Sequence, residues 1–498
     1  MAIHESQALF YIGGVIGALV LPVALYRLYL HPLSNYPGPP IAAITGVYEL
    51  YYDLIVSGGM LQCIERLHRM YGPVVRIGPN QLHFSEPSAY FDIYAQGSTV
   101  TKDPRLYAAF SLEGSIVTLL DPAKSRSRRE MMHPFFSRRA VLNLENVVQT
   151  KVDKLITNLR SISRNEQAID MHLAFRSATH DIITSYCFSQ CFDILDDPNF
   201  DHPIMTAVMA QMPAVWVLKH FHWLTRLPSR QILRWNRGFQ AIMHIRETLA
   251  EQIDAYLIDT TRLVSSEHET IYHHLITPSS KQSSRHEALS RGDLIDEAIT
   301  LLNAGSDTVG QTSTSAVFYV LSDPKIHHRL LDELKQAWPD KDQNVRLAIL
   351  EKLPYLTAVI KETMRMSTGI ITPLPRVVSS HTMNIGGYSV PHGTVVAMGH
   401  TFLHNNPSVF PDPRVFKPER WLERKDLDAY LVPFSRGPRM CLGTNLAWAE
   451  LYMIIGNTLR LLDLKIHNTT AHDMEDYREF FAPYYRKHFH AFVSDRKE

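Results

Sequence analysis

The chain has 498 residues, 45% hydrophobic and 20% charged, an ordinary composition for a globular protein with a large core. Lys plus Arg and Asp plus Glu number 50 each, so the formal net charge is zero and no basic field is offered to nucleic acid. Four cysteines (Cys63, Cys187, Cys191 and Cys441) are too few for a disulfide framework and read as reduced thiols.

Residues 8–26 (ALFYIGGVIGALVLPVALY) form an uncharged apolar run. As a helix it would extend roughly 28 Å, close to the ~30 Å hydrocarbon core of a bilayer. A signal peptide would carry a basic leader, whereas residues 1–7 hold only His4 and Glu5 as titratable side chains. A core helix rarely opens a chain ahead of a proline cluster. The expectation is therefore a transmembrane anchor over 1–30, in which Pro22 is tolerated. Pro32, Pro37, Pro39 and Pro40 predict a stiff, non-helical hinge over 31–42. One folded domain is expected over 43–498.

Within it, residues 73–85 (PVVRIGPNQLHFS) predict short strands broken at Gly78 and Pro79. Apolar spacings of three and four predict a mainly helical stretch over 141–263. Serine-rich 279–290 reads as a surface loop. A long apolar helix is expected over 293–321 and another over 355–366. Glycine-punctuated 377–398 reads as hairpins, proline-rich 406–418 as irregular, and 441–462 as a final helix. With no repeat of fixed period and no second catalytic domain, the pattern predicts a mainly α fold with a minor β-sheet.

The strongest local signal is Phe434-Ser-Arg-Gly437-Pro-Arg439-Met-Cys441-Leu-Gly443. Alone, a cysteine at a helix start reads as a buried core residue. Five specified residues in ten carry more than that. A thiolate bound to haem iron donates electron density that favours O–O cleavage. Backbone N–H donors and positive potential at a helix N-terminus would keep the sulfur ionised. Gly437 permits a tight turn, and Gly443 lets the helix approach a flat macrocycle. Arg439 can pair with a propionate, and Phe434 can shield the sulfur.

This segment resembles the haem-binding signature of the cytochrome P450 superfamily at every fixed position. The likeness extends over residues 30–498. It is nearest in style to fungal microsomal members that tailor secondary metabolites, terpenoids such as trichodiene among them. The implied architecture is a single large haem-thiolate fold behind an N-terminal transmembrane helix. In Ala304-Gly305-Ser306-Asp307-Thr308, a packing glycine and an internally bonded hydroxyl would be an equally good reading of the residues alone. The resemblance makes Thr308 a hydrogen-bond partner of activated oxygen and Asp307 a relay of protons to it. Glu362 and Arg365, three apart, are by themselves a commonplace ion pair. The resemblance adds Arg420, in Pro418-Glu419-Arg420, as the third member of a buried network bracing the cysteine loop. Arg129 and Arg376 match propionate-binding arginines, where each alone would read as a surface charge. Ser125 stands where the family usually has Trp or His, which leaves Arg129 as the contact on that helix.

The resemblance further implies haem b (iron protoporphyrin IX) and electrons from NADPH through a separate NADPH–cytochrome P450 reductase, with cytochrome b5 as an auxiliary donor. O2 and a hydrophobic small molecule would be the substrates, at the cytosolic face of the endoplasmic reticulum. The chain itself has no P-loop and no dinucleotide fingerprint to hold its own nucleotide. Pocket walls are expected near 111–119, 205–216, 368–374 and 480–485, which are apolar and aromatic. Two rival readings are a haem-thiolate isomerase or dehydratase of the same fold, and a non-catalytic haem-binding protein. The Asp307-Thr308 pair argues against the first, and the second would need neither a proton relay nor a lipophilic pocket. Cys187 with Cys191, and His400 with His404, lack the companions of a metal site and read as core or surface residues. Asn468-Thr-Thr is a sequon that would stay unmodified in the cytosol.

Overall fold

The computed structural model describes residue 18 and residues 20–163, 167–227, 236–277, 288–367 and 369–497. Its chain divides into two compact units, Met1–Asp103 with Pro373–Phe402, and Pro104–Thr372 with Leu403–Glu498.

The first unit is organised by a five-stranded sheet. Strands Val74–Gly78 and Gln81–Phe84 pair antiparallel across Pro79 and Asn80, as the breaks at Gly78 and Pro79 predicted, and every position in both is buried. Val395–Ala397 adds in parallel to Gln81–Phe84, followed antiparallel by Arg376–Val377 and Thr101–Lys102. That parallel pairing joins residues 314 positions apart (Gln81 with Val395), which local pattern cannot announce. Helix Met60–Tyr71 lays Met60, Cys63, Ile64 and Leu67 against Val75 and Ile77. The glycine-rich hairpin joins Met383–Ile385 to Tyr388–Val390 through Gly386 and Gly387, both at positive φ (57° and 85°) as a tight hairpin turn requires.

The expectation of a transmembrane helix over 1–30 is corrected here. Among the described residues no helix is long and apolar enough to cross a membrane. Residues 8–17 and Leu19, most of the apolar run, lie outside the described residues. Residues 20–25 are helical and pass into a five-residue π-helical turn, Tyr26–Leu30, closed by the His31 N–H on the Tyr26 carbonyl at 2.8 Å. Arg27 then donates to the Ile44 carbonyl at 2.5 Å, so a charge is spent on the folded unit directly after the run. The single-pass endoplasmic-reticulum topology that rested on such a helix falls with it.

The second unit is built on helix Arg291–Ser322, two residues longer at the start than the apolar pattern suggested. Ser290 and Asp293 form a capping box that fixes this beginning. Helix Met171–Phe188 lies against it and is buried over nearly its whole length. The approach is close because glycines face it: a Cβ on Gly305 would stand 2.5 Å from Ile183 Cγ1, and one on Gly310 2.9 Å from Arg176 Cα. Gly310→Ala is therefore expected to cost about 1–3 kcal/mol, as overpacking against an unyielding backbone does. Denaturant unfolding with unchanged spectroscopic content at zero denaturant would check this.

Helices Pro354–Met366 and Thr444–Leu461 complete the core. The last helix begins three residues later than the sequence pattern placed it, because Cys441 is held outside it. Two further strand systems were not legible in the sequence. His490–Asp495 pairs with Leu462–His467 and with the remote Ile169–Asp170, and Tyr477–Phe480 folds back on Ala482–Tyr485 around Phe481. The predicted loop at 279–290 falls, for residues 279–287, outside the described residues.

Candidate functional site

Cys441 sits in a loop between the 3-10 turn Gly437–Arg439 and the helix Thr444–Leu461. The Cys441 N–H donates to the Phe434 carbonyl at 2.8 Å, which closes the loop and keeps Cys441 out of the helix. Gly437 takes φ 71°, a conformation costly for any side-chain-bearing residue. The residue is solvent-accessible, yet its surroundings desolvate the thiol and push its pKa up. Three groups oppose that shift: the Gly443 N–H, the Arg129 guanidinium and the Thr444 hydroxyl. Arg129 is fixed by donating to the Met440 carbonyl at 2.7 Å. Arg439 reaches the Leu120 and Asp121 carbonyls at 3.2 and 3.4 Å. A Cβ on Gly443 would meet nothing within 4 Å, so the helix starts beside open space.

Glu362, Arg365 and Arg420 are brought together in the interior. The Glu362 carboxylate is 0% exposed and accepts five donors. Arg365 binds it through Nη2 at 2.8 Å and Nε at 3.0 Å, and Arg420 through Nε at 3.1 Å. Trp421 Nε1 and the Lys417 N–H add two bonds at 2.9 Å. Both guanidiniums also hold backbone carbonyls: His404, which ends the helix His400–His404, and Pro413 of the irregular segment by Arg365, and Pro411 of that segment by Arg420. Spare donors thus fasten a stretch with no secondary structure of its own.

In the middle of the long helix, Thr308 donates its hydroxyl to the Ala304 carbonyl at 3.0 Å. Asp307 is ion-paired with Arg176 Nε from the helix Met171–Phe188. Thr179, one turn further along that helix, donates to the Ser306 carbonyl at 2.5 Å. Gly305 packs on Ile183, so its smallness serves the helix crossing. Gly369 abuts Thr308: a Cβ there would stand 2.6 Å from Thr308 Cβ. From Gly369 the chain runs to Ile371 and Thr372, whose N–H groups donate to the Phe481 carbonyl at 3.0 and 3.3 Å. The Phe481 ring meets Phe110 edge-on at 5.0 Å, and Trp216 meets Phe480 at 6.1 Å. Thr308 is thus bordered by a chain segment that leads to an aromatic wall.

Arg376 belongs to the first unit, where it is buried with its guanidinium 5.3 Å over the Tyr94 ring. Sequence reasoning missed Arg176 and Thr179, since nothing local ties them to residues 306 and 307. It also passed over Arg128, which is buried and paired with Glu297 at 2.5 Å. The Arg-Arg dipeptide splits its duties, with Arg128 turned to the core and Arg129 to the cysteine loop. Cys191 lies close to Asp181 and Asp193, but Asp181 already accepts the Ile194 and Leu195 N–H groups and Lys151 reaches Cys191 at 3.2 Å. That cluster is a satisfied loop anchor.

The Cytochrome P450 family model matches residues 37–485. A tryptophan 6-hydroxylase of Fusarium equiseti is 34% identical over 93% of this chain and 91% of its own length. A cytochrome P450 monooxygenase of Penicillium terrestre is 32% identical, covering 95% of both chains. A conidiogenone synthase of Penicillium rubens is 33% identical over 93% of this chain and 94% of its own. With its cysteine loop, its buried carboxylate network and a match over nearly its whole length, the chain belongs to the cytochrome P450 family, as a haem b monooxygenase supplied with NADPH electrons by a reductase and related to fungal secondary-metabolite enzymes.

Proposed function

We propose that Cys441 would supply the thiolate that holds haem b, with Arg129 and Arg439 serving its propionates and Asp307 with Thr308 delivering protons. The substrate is a lipophilic small molecule of terpenoid type, ahead of a polyketide or an alkaloid. The observation that carries this reading is the setting of Cys441, held outside the helix by its N–H on the Phe434 carbonyl and placed beside the Gly443 N–H, the Thr444 hydroxyl and the Arg129 guanidinium, all of which favour the thiolate against burial. The open space beside Gly443 suits a flat ligand.

Bound haem, fed one electron at a time, supplies the chemistry that places one atom of O2 in the substrate and reduces the other to water. The chain's own residues supply the rest. Phe434 and the turn at Gly437 hold the sulfur in place. Thr308 presents a hydroxyl anchored on Ala304, able to pass a proton onward while accepting another from Asp307. Arg176 fixes where Asp307 rests between transfers. Phe110 and Phe481 offer a wall that would bind apolar carbon, backed by the buried pair Trp216 and Phe480, which excludes water.

The test is to incubate the enzyme with reductase, NADPH and matched terpenoid, polyketide and indole scaffolds, then read product masses. The indole is included because one relative is named a tryptophan hydroxylase. Gain of one oxygen on the terpenoid alone is expected; oxidation of the indole alone would overturn the substrate class. In Thr308→Ala, product formed per NADPH should fall at least about tenfold, with the missing electrons recovered as hydrogen peroxide. Unchanged coupling would remove Thr308 from proton delivery.

A further inference from the structure

Residues 111–120, between the helices Pro104–Ala108 and Pro122–Met132, contain no helix or strand, yet their backbone is closely tied. The Ser115 N–H donates to Leu112, and those of Thr118 and Leu119 to Ser115, at 2.9–3.1 Å, so the loop closes on itself. Its tip is then fastened from outside. Glu297 of the long helix accepts the Ile116 N–H at 2.9 Å, and Arg128 donates to the Gly114 carbonyl at 2.7 Å. The two side chains are paired with each other at 2.5 Å and are 0% and 6% exposed. The preceding residue of the long helix, Asp296, accepts the Gly114 N–H at 3.1 Å and faces Arg246 at 3.6 Å. A Cβ on Gly114 would stand 2.7 Å from Asp293 Cα, so the loop tip rests directly on the start of the long helix. The loop's exit is held by Arg439, two residues before Cys441.

We propose that the Arg128–Glu297 pair is a buried latch that positions residues 111–120 as a wall of the substrate space, so that the size of molecule admitted is set by an ion pair outside that space. The proposal rests on the reading of this loop as a pocket wall. Two features favour positioning over simple stability. Burial raises the Glu297 carboxyl to about 7 despite Arg128, so the pair is held at a cost. Among the described residues, the hydrogen bonds the two partners make beyond their own pairing go to loop backbone: Glu297 Oε2 accepts the Ile116 N–H, and Arg128 Nη1 donates to the Gly114 carbonyl. An apolar pair of the same volume would fill the space and leave these two backbone groups without partners.

The experiment uses the full chain loaded with haem. Glu297→Gln keeps length and an acceptor oxygen but removes the charge; Arg128→Lys keeps the charge but loses the fork, and provides a milder variant should the first fold poorly. Amide hydrogen exchange at Gly114 and Ile116 should quicken about tenfold or more in Glu297→Gln and less in Arg128→Lys, while segment 417–421 is unchanged. Association of 1-phenylimidazole, followed by its spectral shift, should quicken severalfold, while that of imidazole stays the same. Unchanged exchange at Gly114 and Ile116 in both variants overturns the latch. Faster exchange with unchanged phenylimidazole binding overturns the loop as a wall, and an intact ferrous–carbonyl spectrum in that case leaves the thiolate assignment standing. A double variant, Arg128→Met with Glu297→Leu, that restored exchange and size selectivity to wild-type values would show packing alone at work, and would also overturn the proposal.

Discussion

Replacing Cys441 with serine is expected to abolish product formation, by more than the roughly 100-fold that loss of an outer hydrogen bond to a metal ligand typically costs. Serine preserves the backbone. The 441 N–H would still bond the Phe434 carbonyl, so the loop should close as before. Chemistry changes instead of shape. A serine hydroxyl stays protonated where a thiol can ionise, and the Gly443 N–H, Arg129 and Thr444 would then face a group with no charge to stabilise. The measurement is the ferrous–carbonyl difference spectrum of the purified variant beside its turnover. A changed spectrum with retained secondary structure and lost turnover is the expected result. A spectrum identical to that of the unaltered protein would mean that some other residue ligates the iron, and the site described here would be wrong.

Glu362→Ala should be the most damaging substitution for folding. It removes the acceptor from five N–H donors at once, in the buried interior: two on Arg365, one on Arg420, the Trp421 indole and the Lys417 backbone lose their partner. Breaking a buried ion pair from one side typically costs about 3–5 kcal/mol, against a total stability of about 5–15 kcal/mol. Little haem-loaded protein should accumulate, and what does should unfold at markedly lower denaturant. Glu362→Gln, which retains hydrogen-bonding atoms without charge, should fall between. Because Arg365 and Arg420 also hold the His404, Pro411 and Pro413 carbonyls, damage should begin in the irregular segment that ends at Pro418. Hydrogen exchange across 404–418 would show it first. An unchanged unfolding midpoint in Glu362→Ala would contradict the assignment of this network to structure.

Much was legible from residue order alone, for a physical reason that differs by element. The long helix, the helix carrying Glu362 and Arg365, and the strand pair around Pro79 are written in local periodicity and turn chemistry, which need no partner to be read. The cysteine loop was legible because Phe434, Gly437, Arg439, Cys441 and Gly443 lie within ten residues, so one turn and its donors fit in one window. Its expected helical start at Cys441 was displaced to Thr444 by a single long-reaching bond, Cys441 N–H to Phe434. Composition suggested a membrane span at the N-terminus, and no helix among the described residues is long and apolar enough to cross a membrane.

Only the folded chain decided what depends on meetings between distant residues. The ion pair of Asp307 with Arg176 spans 131 positions, and that of Arg128 with Glu297 spans 169. No spacing rule links such partners; for Asp307 and Arg176 the encounter is set by a helix crossing, which itself depends on Gly305 and Gly310 having no side chain. The C-terminal strands were hidden for the same reason, since His490–Asp495 finds one of its neighbours at Ile169–Asp170. Local order determined the elements and the sulfur ligand loop. Packing between remote segments determined which charges are buried, which arginine faces the cysteine, and what borders Thr308.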